Sequence, residues 1–300
     1  MSNYVRLQLH KSEEAVQISA PGLMHKFPGP TQKSPIQEYF ETANSLTAKI
    51  ATSQHSDDAE ILGLMLLGIV SAAEFYFRSA LGATLEICPI SQRHAESINI
   101  PIAASQFYFG SGYSPALGSF EHESLADAKK IRGEIKKFTG FDIQDDTSAN
   151  QAVEQFETLC ELRHCLVHAR GFAGLKACRA LKSSERQLQK LLVGKTEAFE
   201  LIKLSHNAVR AVNRFLVDSI LNRWIDRDVL VGTWQTDKKQ FVALIEKFWV
   251  KGEDGFGSAP QTAYEPVKRV ILMRKRAMAA KVASPSPNAT NAQQPKKAKG

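Results

Sequence analysis

The chain has few cysteines, and none of them is spaced as cysteine-based sites require. Four occur in 300 residues, at Cys88, Cys160, Cys165 and Cys178, and no two form a CxxC pair. This disfavours a disulfide framework and a zinc ribbon, because both need paired or regularly spaced thiols. We expect the four thiols to act as small apolar residues of the core.

Long hydrophobic runs are also missing. The most apolar window covers residues 61–73, which is too short for a bilayer span, and Glu74 and Arg78 follow it. The first 16 residues, MSNYVRLQLHKSEEAV, contain no apolar stretch typical of a secretory signal. With 43% hydrophobic and 23% charged residues, the composition is that of a globular protein. We therefore expect a cytoplasmic protein without a membrane partner.

Acidic residues are absent from the C-terminal end. Residues 266–300 contain nine Lys/Arg and no Asp/Glu, so the net charge of +7 belongs to this end. Such a segment is typical of weak, sequence-blind attraction to phosphates, or of a solubilising tail. Five of its basic residues either guide RNA or form a solvated helix face: Lys268, Arg269, Arg274, Lys275 and Arg276.

Apolar periodicity predicts a mainly α fold with five or six core helices. The predicted helices cover residues 56–86, 125–139, about 148–171, about 195–220, 241–249 and 267–282. A further helix is predicted from Ser184 and is interrupted at Gly194. The first of them is apolar nearly all round, so we expect it at the centre, with Ser56 as its N-cap. Glu74 and Arg78, one turn apart on it, are predicted to pair.

Four regions follow from these patterns. Residues 1–50 form an N-terminal appendage, with a possible hairpin over 4–20 and irregular chain over 21–35. Residues 51–228 form the main helical domain, and 229–283 a C-terminal helical extension. Residues 284–300 have the composition of a disordered tail.

The common catalytic motifs are absent: the sequence has no GxGxxG, GxxxxGK[ST], GxSxG or HExxH. The densest group of chemistry-bearing residues lies in residues 157–171, ETLCELRHCLVHARG, on an otherwise apolar helix. Charged groups on such a helix cost free energy unless they are solvated or paired. Three interpretations compete for this segment.

In the first interpretation, His164 and His168 are an i,i+4 pair of zinc ligands, although no third ligand is evident. In the second, the polar groups simply face solvent, with Glu161 paired to Arg163 or His164. In the third, Arg163 and His168 are the working groups of a nuclease. These two residues are five apart, about 140° around a regular helix.

The third interpretation comes from a resemblance. Arg163 and His168 in RHCLVH resemble the R-x4-6-H signature of HEPN (higher eukaryote and prokaryote nucleotide-binding) domains, and Glu161 resembles the acidic residue that precedes that arginine. The earlier apolar helix LGLMLLGIVSAAEFYFRSAL also fits, and the resemblance covers residues 55–225. The chain departs from the family at His164, where asparagine is common, and at Arg170, where a toxin subgroup has tyrosine.

The resemblance implies an all-α HEPN-like bundle and a metal-independent endoribonuclease that needs no cofactor. The 2′-hydroxyl would attack the adjacent phosphorus, with His168 transferring protons and Arg163 holding the phosphate, while Glu161 and His164 support them. It also implies a homodimer in which two motif helices meet, a bacterial defence or toxin setting, and a possible regulatory protein partner. The alternative is a non-catalytic helical dimer that binds RNA, nucleotides or proteins.

Overall fold

The computed structural model describes residues 33–52, 58–111, 113–120, 123–184, 187–250 and 259–283, together with residues 23, 24 and 29. It is 76% helix and 2% strand, so the mainly α class is confirmed. The elements are α1 (Pro35–Thr52), α2 (Ala59–Ile87), α3 (Pro89–His94), α4 (Ile102–Ser111), a 3-10 helix (Pro115–Phe120), α5 (Ala128–Thr139), α6 (Ser148–His168), β1 (Phe172–Ala173), α7 (Leu175–Ala180), β2 (Gln189–Lys190), α8 (Lys195–Asp226), α9 (Trp234–Phe248) and α10 (Pro260–Ala283).

The helix α2 lies at the centre, as predicted. Asp58 is its N-cap and accepts the backbone N–H groups of Glu60 at 2.9 Å and Ile61 at 3.3 Å. Its side chains pack against α1, α5, α6, α8 and α9. Among the described helices, α2 alone is long and apolar enough to cross a membrane, and 44% of its most apolar window is buried inside this structure.

The helix α1 belongs to the same core, so the predicted boundary at residue 50 falls inside a packed helix. Its buried side chains include Tyr39 and Phe40. The Tyr39 hydroxyl forms hydrogen bonds with Ser205 Oγ at 2.7 Å and His206 Nδ1 at 2.8 Å, which join α1 to α8. The hairpin predicted over residues 4–20 lies outside the described residues.

Local signals in the sequence set the ends of α5 and α6. Asp127 caps α5 by accepting the Lys130 N–H at 2.9 Å, and Gly140 ends it in the left-handed region at φ 70°. Thr147 caps α6 by accepting the Asn150 N–H at 3.2 Å. Both predicted helices are confirmed to within a few residues.

The helix predicted from Ser184 to Gly194 is wrong. Residues 189–190 instead form β2, which pairs antiparallel with β1 so that Phe172 lies opposite Lys190. The apolar pattern there is too short to hold a helix against this tertiary pairing. Beyond Gly194 the predicted long helix is confirmed as α8, which runs 32 residues.

The C-terminal helices α9 and α10 are longer than predicted and are joined by a buried carboxylate. Asp237 accepts the N–H of Val231 at 2.9 Å and the N–H of Gly232 at 2.8 Å, and Tyr264 donates its hydroxyl to the same group. The tail predicted from Ser284 lies outside the described residues.

Candidate functional site

The helix α6 presents the predicted motif at its C-terminal end. Its apolar face is buried, including Val153, Phe156 and Leu159, and fixes the rotation of the whole helix. Arg163 is half-buried, while His164 and His168 are exposed. The two imidazole rings lie side by side, with centroids 4.8 Å apart. The structure thus brings the two histidines together on the solvent side.

Arg163 and His168 keep the separation that helix geometry imposes. Because α6 is continuous through His168, the two residues remain five positions apart, about 140° around the axis. Within the described residues, neither side chain forms a hydrogen bond or an ion pair. Both groups are therefore open to a ligand, but one copy of the helix directs them to different sides.

Glu161 does not take the position that the sequence suggested. It is only 7% exposed, and it pairs with Lys176 of α7 rather than with Arg163 or His164. Residues two apart lie on opposite sides of a helix, so Glu161 faces α7 and Arg163 faces away from it. The hydrogen bond from Lys176 to Glu161 raises the pKa of the lysine. Glu161 therefore fastens α7 to α6.

The predicted pair of Glu74 and Arg78 is also wrong. Glu74 Oε1 accepts the Ser124 hydroxyl at 2.7 Å, and Arg78 Nη2 donates to the Glu123 carbonyl at 2.5 Å. The loop before α5 offers partners that the local i,i+4 spacing could not reveal. Both side chains hold this loop against α2.

The zinc alternative gains no third ligand from the described part of the chain, where no three His, Cys, Asp or Glu side chains are grouped as metal ligands would be. Cys165 lies between the two histidines in sequence but is 3% exposed and packs with Cys178 beneath α6. All four cysteines are free and buried, as predicted. Burial and neighbouring carboxylates raise the pKa of Cys160, which keeps this thiol protonated.

The chain turns sharply after the motif. The Gly171 N–H bonds the Cys165 carbonyl at 2.9 Å, which closes the end of α6. Arg170, the residue before it, has a left-handed φ of 52°, a region that glycine normally occupies. The turn leads into β1, and its pairing with β2 places Lys190 beside Gly171. No pattern in the sequence points to Lys190, because only the strand pairing brings it next to the motif.

Exposed apolar side chains surround the end of α6. Val167 is 46% exposed and Phe172 is 44% exposed. A side chain at Gly63 of α2 would meet Leu166 at 3.2 Å, so the neighbouring Leu64, which is 67% exposed, belongs to this region. We call Leu64, Val167 and Phe172 the apolar rim. Exposed apolar side chains mark a protein contact surface where they form one contiguous patch.

Comparisons with protein-family models, with curated proteins and with solved structures found no match to this chain. The function therefore has to be argued from the geometry around α6.

Proposed function

We propose that this chain is a metal-independent endoribonuclease of the HEPN type. The observation that carries the proposal is that Arg163 and His168 both lie at the C-terminal end of α6 and, within the described residues, neither forms an ion pair or a hydrogen bond. A guanidinium that holds no carboxylate can bind a phosphate in a forked geometry. Imidazole is the side chain that changes charge near neutral pH, which suits proton transfer.

The reaction divides between these two groups. The RNA 2′-hydroxyl loses its proton and its oxygen bonds to the adjacent phosphorus, while the bond from phosphorus to the 5′-oxygen breaks. The products are a 2′,3′-cyclic phosphate and a 5′-hydroxyl, which takes up one proton. His168 moves a proton in this exchange, and Arg163 stabilises the charge on the phosphoryl oxygens. DNA lacks the attacking hydroxyl and is not cleaved.

The proposal includes a homodimer. One helix directs Arg163 and His168 about 140° apart, so a second copy of α6 supplies the missing group to each cleft. The apolar rim supports such a contact, since Leu64, Val167 and Phe172 are exposed beside the motif. We place the enzyme in the cytoplasm, in a bacterial defence or toxin system, with activity set by a regulatory partner.

Substitution of the two motif residues tests the proposal. Arg163→Ala and His168→Ala are each expected to lower the cleavage rate of single-stranded RNA at least 100-fold. Arg227→Ala and His94→Ala are matched controls, because both residues are exposed and lie away from α6. Thermal unfolding and light scattering check that each variant folds and keeps its oligomeric state.

The chemistry of the product ends and the effect of a chelator distinguish the nuclease from the non-catalytic dimer. A 2′,3′-cyclic phosphate end and full activity in a chelator support the nuclease. RNA that stays intact with the parent protein, or is cut equally well by both motif variants, would leave the non-catalytic dimer as the function. A parent protein that is entirely monomeric in solution contradicts the proposal that two copies of α6 form each cleft.

A further inference from the structure

The motif is followed by a strongly basic segment. Between Glu161 and Glu197 the sequence contains eight Lys/Arg and one acidic residue, Glu185. Among the seven of these basic residues that the structure describes, two are engaged: Lys176 pairs with Glu161, and Lys195 donates to the Ala51 carbonyl at 3.0 Å. The segment therefore contains basic residues beyond those that pair with other parts of the described structure.

Three cations of this segment are linked to one another through the fold. The Lys190 side chain lies against Gly171, next to Arg170. Gln189, the neighbour of Lys190, bonds Ser183 Oγ at 3.1 Å, and Lys182 precedes that serine. We call Arg170, Lys182 and Lys190 the arm cations. Arg170 comes two residues after His168, and Lys190 and Lys182 follow it along the paired segment.

The arm cations are exposed, and in the described structure none of them forms an ion pair or a side-chain hydrogen bond. Two of them occupy left-handed backbone positions, Arg170 at φ 52° and Lys182 at φ 54°. Such positions favour glycine, and a long side chain there is strained. Strain of this kind concentrates at functional sites. Both residues directly follow the end of a helix, and Asp228 after α8 has a similar φ of 53°.

We propose that Arg170, Lys182 and Lys190 bind the phosphates of an RNA strand that runs from the motif across the paired strands β1 and β2. The inference rests on the proposed function for its ligand, since a nuclease has to hold the strand beside the scissile bond. Unpaired exposed cations bind a polyanion by releasing its counterions. The contacts are made to phosphates, so they carry no sequence preference.

A binding assay tests this surface apart from catalysis. The probe is a fluorescein-labelled 2′-O-methyl RNA of 20 nucleotides, which has no free 2′-hydroxyl and is not cleaved. In the triple variant Arg170→Gln, Lys182→Gln, Lys190→Gln, affinity at 0.1 M KCl is expected to fall about 100-fold. The slope of log affinity against log salt becomes shallower by about 2, because each phosphate contact contributes about 0.7 for a single strand.

The matched control removes three other exposed lysines by Lys129→Gln, Lys238→Gln and Lys239→Gln. It loses the same net charge, and the proposal expects less than a threefold change in affinity. A second variant, Arg170→Gly with Lys182→Gly, removes two charges and places glycine where the backbone favours it. Because glycine fits these backbone positions, this variant should fold, so a weaker affinity in it reflects the lost charges and not misfolding.

The outcomes separate this inference from the proposed function. The inference is overturned if the parent protein does not bind the probe, or if the arm variants bind it as tightly as the parent protein does. Equal weakening by the control overturns it too, because only net charge would matter. If the parent protein cleaves no RNA but the arm variants bind the probe more weakly than it does, the arm cations bind RNA and the nuclease proposal is rejected. In an active parent, the arm variants are expected to raise KM at least tenfold with kcat within threefold.

Discussion

The helix α10 and the segment after α6 are both rich in lysine and arginine, but their side chains have different surroundings. In α10, Arg274 bonds Asp226 at 2.7 Å and Asn222 at 2.5 Å, and Lys275 donates to the Val231 carbonyl at 2.9 Å. Among the residues that the structure describes, the arm cations have no such partners. The charge distribution in the sequence indicates the C-terminal end as the phosphate-binding region. The structure also places exposed cations beside the motif.

This difference separates charge that stabilises the fold from charge that is available to a ligand. Arg274 and Lys275 of α10 already satisfy a carboxylate and a carbonyl of the body, so a polyanion would have to displace those contacts, whereas Arg269 and Arg276 on the same helix are exposed. Cations after α6 are held in place by backbone turns and strand pairing. Five predictions test how far this contrast between the two basic regions holds.

The largest effect is expected from Asp237→Ala in the C-terminal region. The change leaves the N–H groups of Val231 and Gly232 and the Tyr264 hydroxyl without their buried acceptor. Loss of such an acceptor costs about 3–5 kcal/mol, and thermal unfolding should occur about 10 °C lower. Asp142→Ala, at an exposed ion pair with Lys136, is the control and should change little.

RNA binding by the folded Asp237→Ala protein is expected to match the parent protein. A weakened affinity at a temperature where the variant is folded would mean that the C-terminal region contributes to the RNA surface. The contrast between the two basic regions would then be lost.

A smaller effect is expected from Glu161→Gln. The buried acceptor of Lys176 loses its charge, which costs about 1–2 kcal/mol of folding stability. Lys176 retains the longer contact to Glu157 at 3.6 Å, but one negative charge next to it is removed, so the affinity for the 20-nucleotide probe should rise about threefold. An affinity that falls would show that Glu161 supports RNA binding directly.

The same pair predicts a dependence on pH. The pKa of Lys176 is raised from its ordinary value of 10.5 by the hydrogen bond to Glu161. A raised pKa stabilises the folded state while the lysine is protonated, and this contribution is lost as the pH rises above that range. The difference in Tm between the parent and Glu161→Gln should therefore narrow above about pH 10.5.

A still smaller effect is expected from Arg274→Gln. Its contacts to Asp226 and Asn222 lie at the surface, where an ion pair contributes about 0.5–1 kcal/mol. Affinity for the probe should change less than threefold, whereas Lys190→Gln alone should weaken it about fivefold at 0.1 M salt. Chemical denaturation and fluorescence anisotropy measure the two effects. Equal losses of affinity would make α10 part of the same surface.

The smallest effect is expected from Arg170→Gly. Glycine relieves about 1–2 kcal/mol of left-handed strain and loses about 0.5–1 kcal/mol through greater freedom of the unfolded chain. The variant should therefore be about 0.5 kcal/mol more stable by urea unfolding, although it binds RNA less tightly. Arg170→Ala keeps the strain and should show no gain. A destabilised glycine variant would mean that the arginine side chain has a structural contact.

Much of the helical fold could be predicted because its signals are local. The N-terminal region of α2, the glycine that ends α5 and the threonine that caps α6 are each read from residues within one turn. The burial of α2 also follows from its own apolar residues. The capping residue of α2 was placed two positions early, at Ser56 instead of Asp58.

The missed features depend on distant parts of the chain. The β1–β2 pairing, the bond of Glu161 to α7 and the separate partners of Glu74 and Arg78 join residues from 15 to 50 positions apart. Local periodicity carries no information about such contacts. The motif itself could be found in the sequence, but the cations beside it could not.

The length of α8 gives a scale for the whole surface. The helix starts just after β2, and Asp226 at its far end accepts a hydrogen bond from Arg274 of α10. At 1.5 Å per residue, its 32 residues extend about 48 Å. A stacked strand rises about 3.4 Å per nucleotide, so about 14 nucleotides are needed to cover that distance. An oligonucleotide of eight residues therefore reports on one end of the molecule alone.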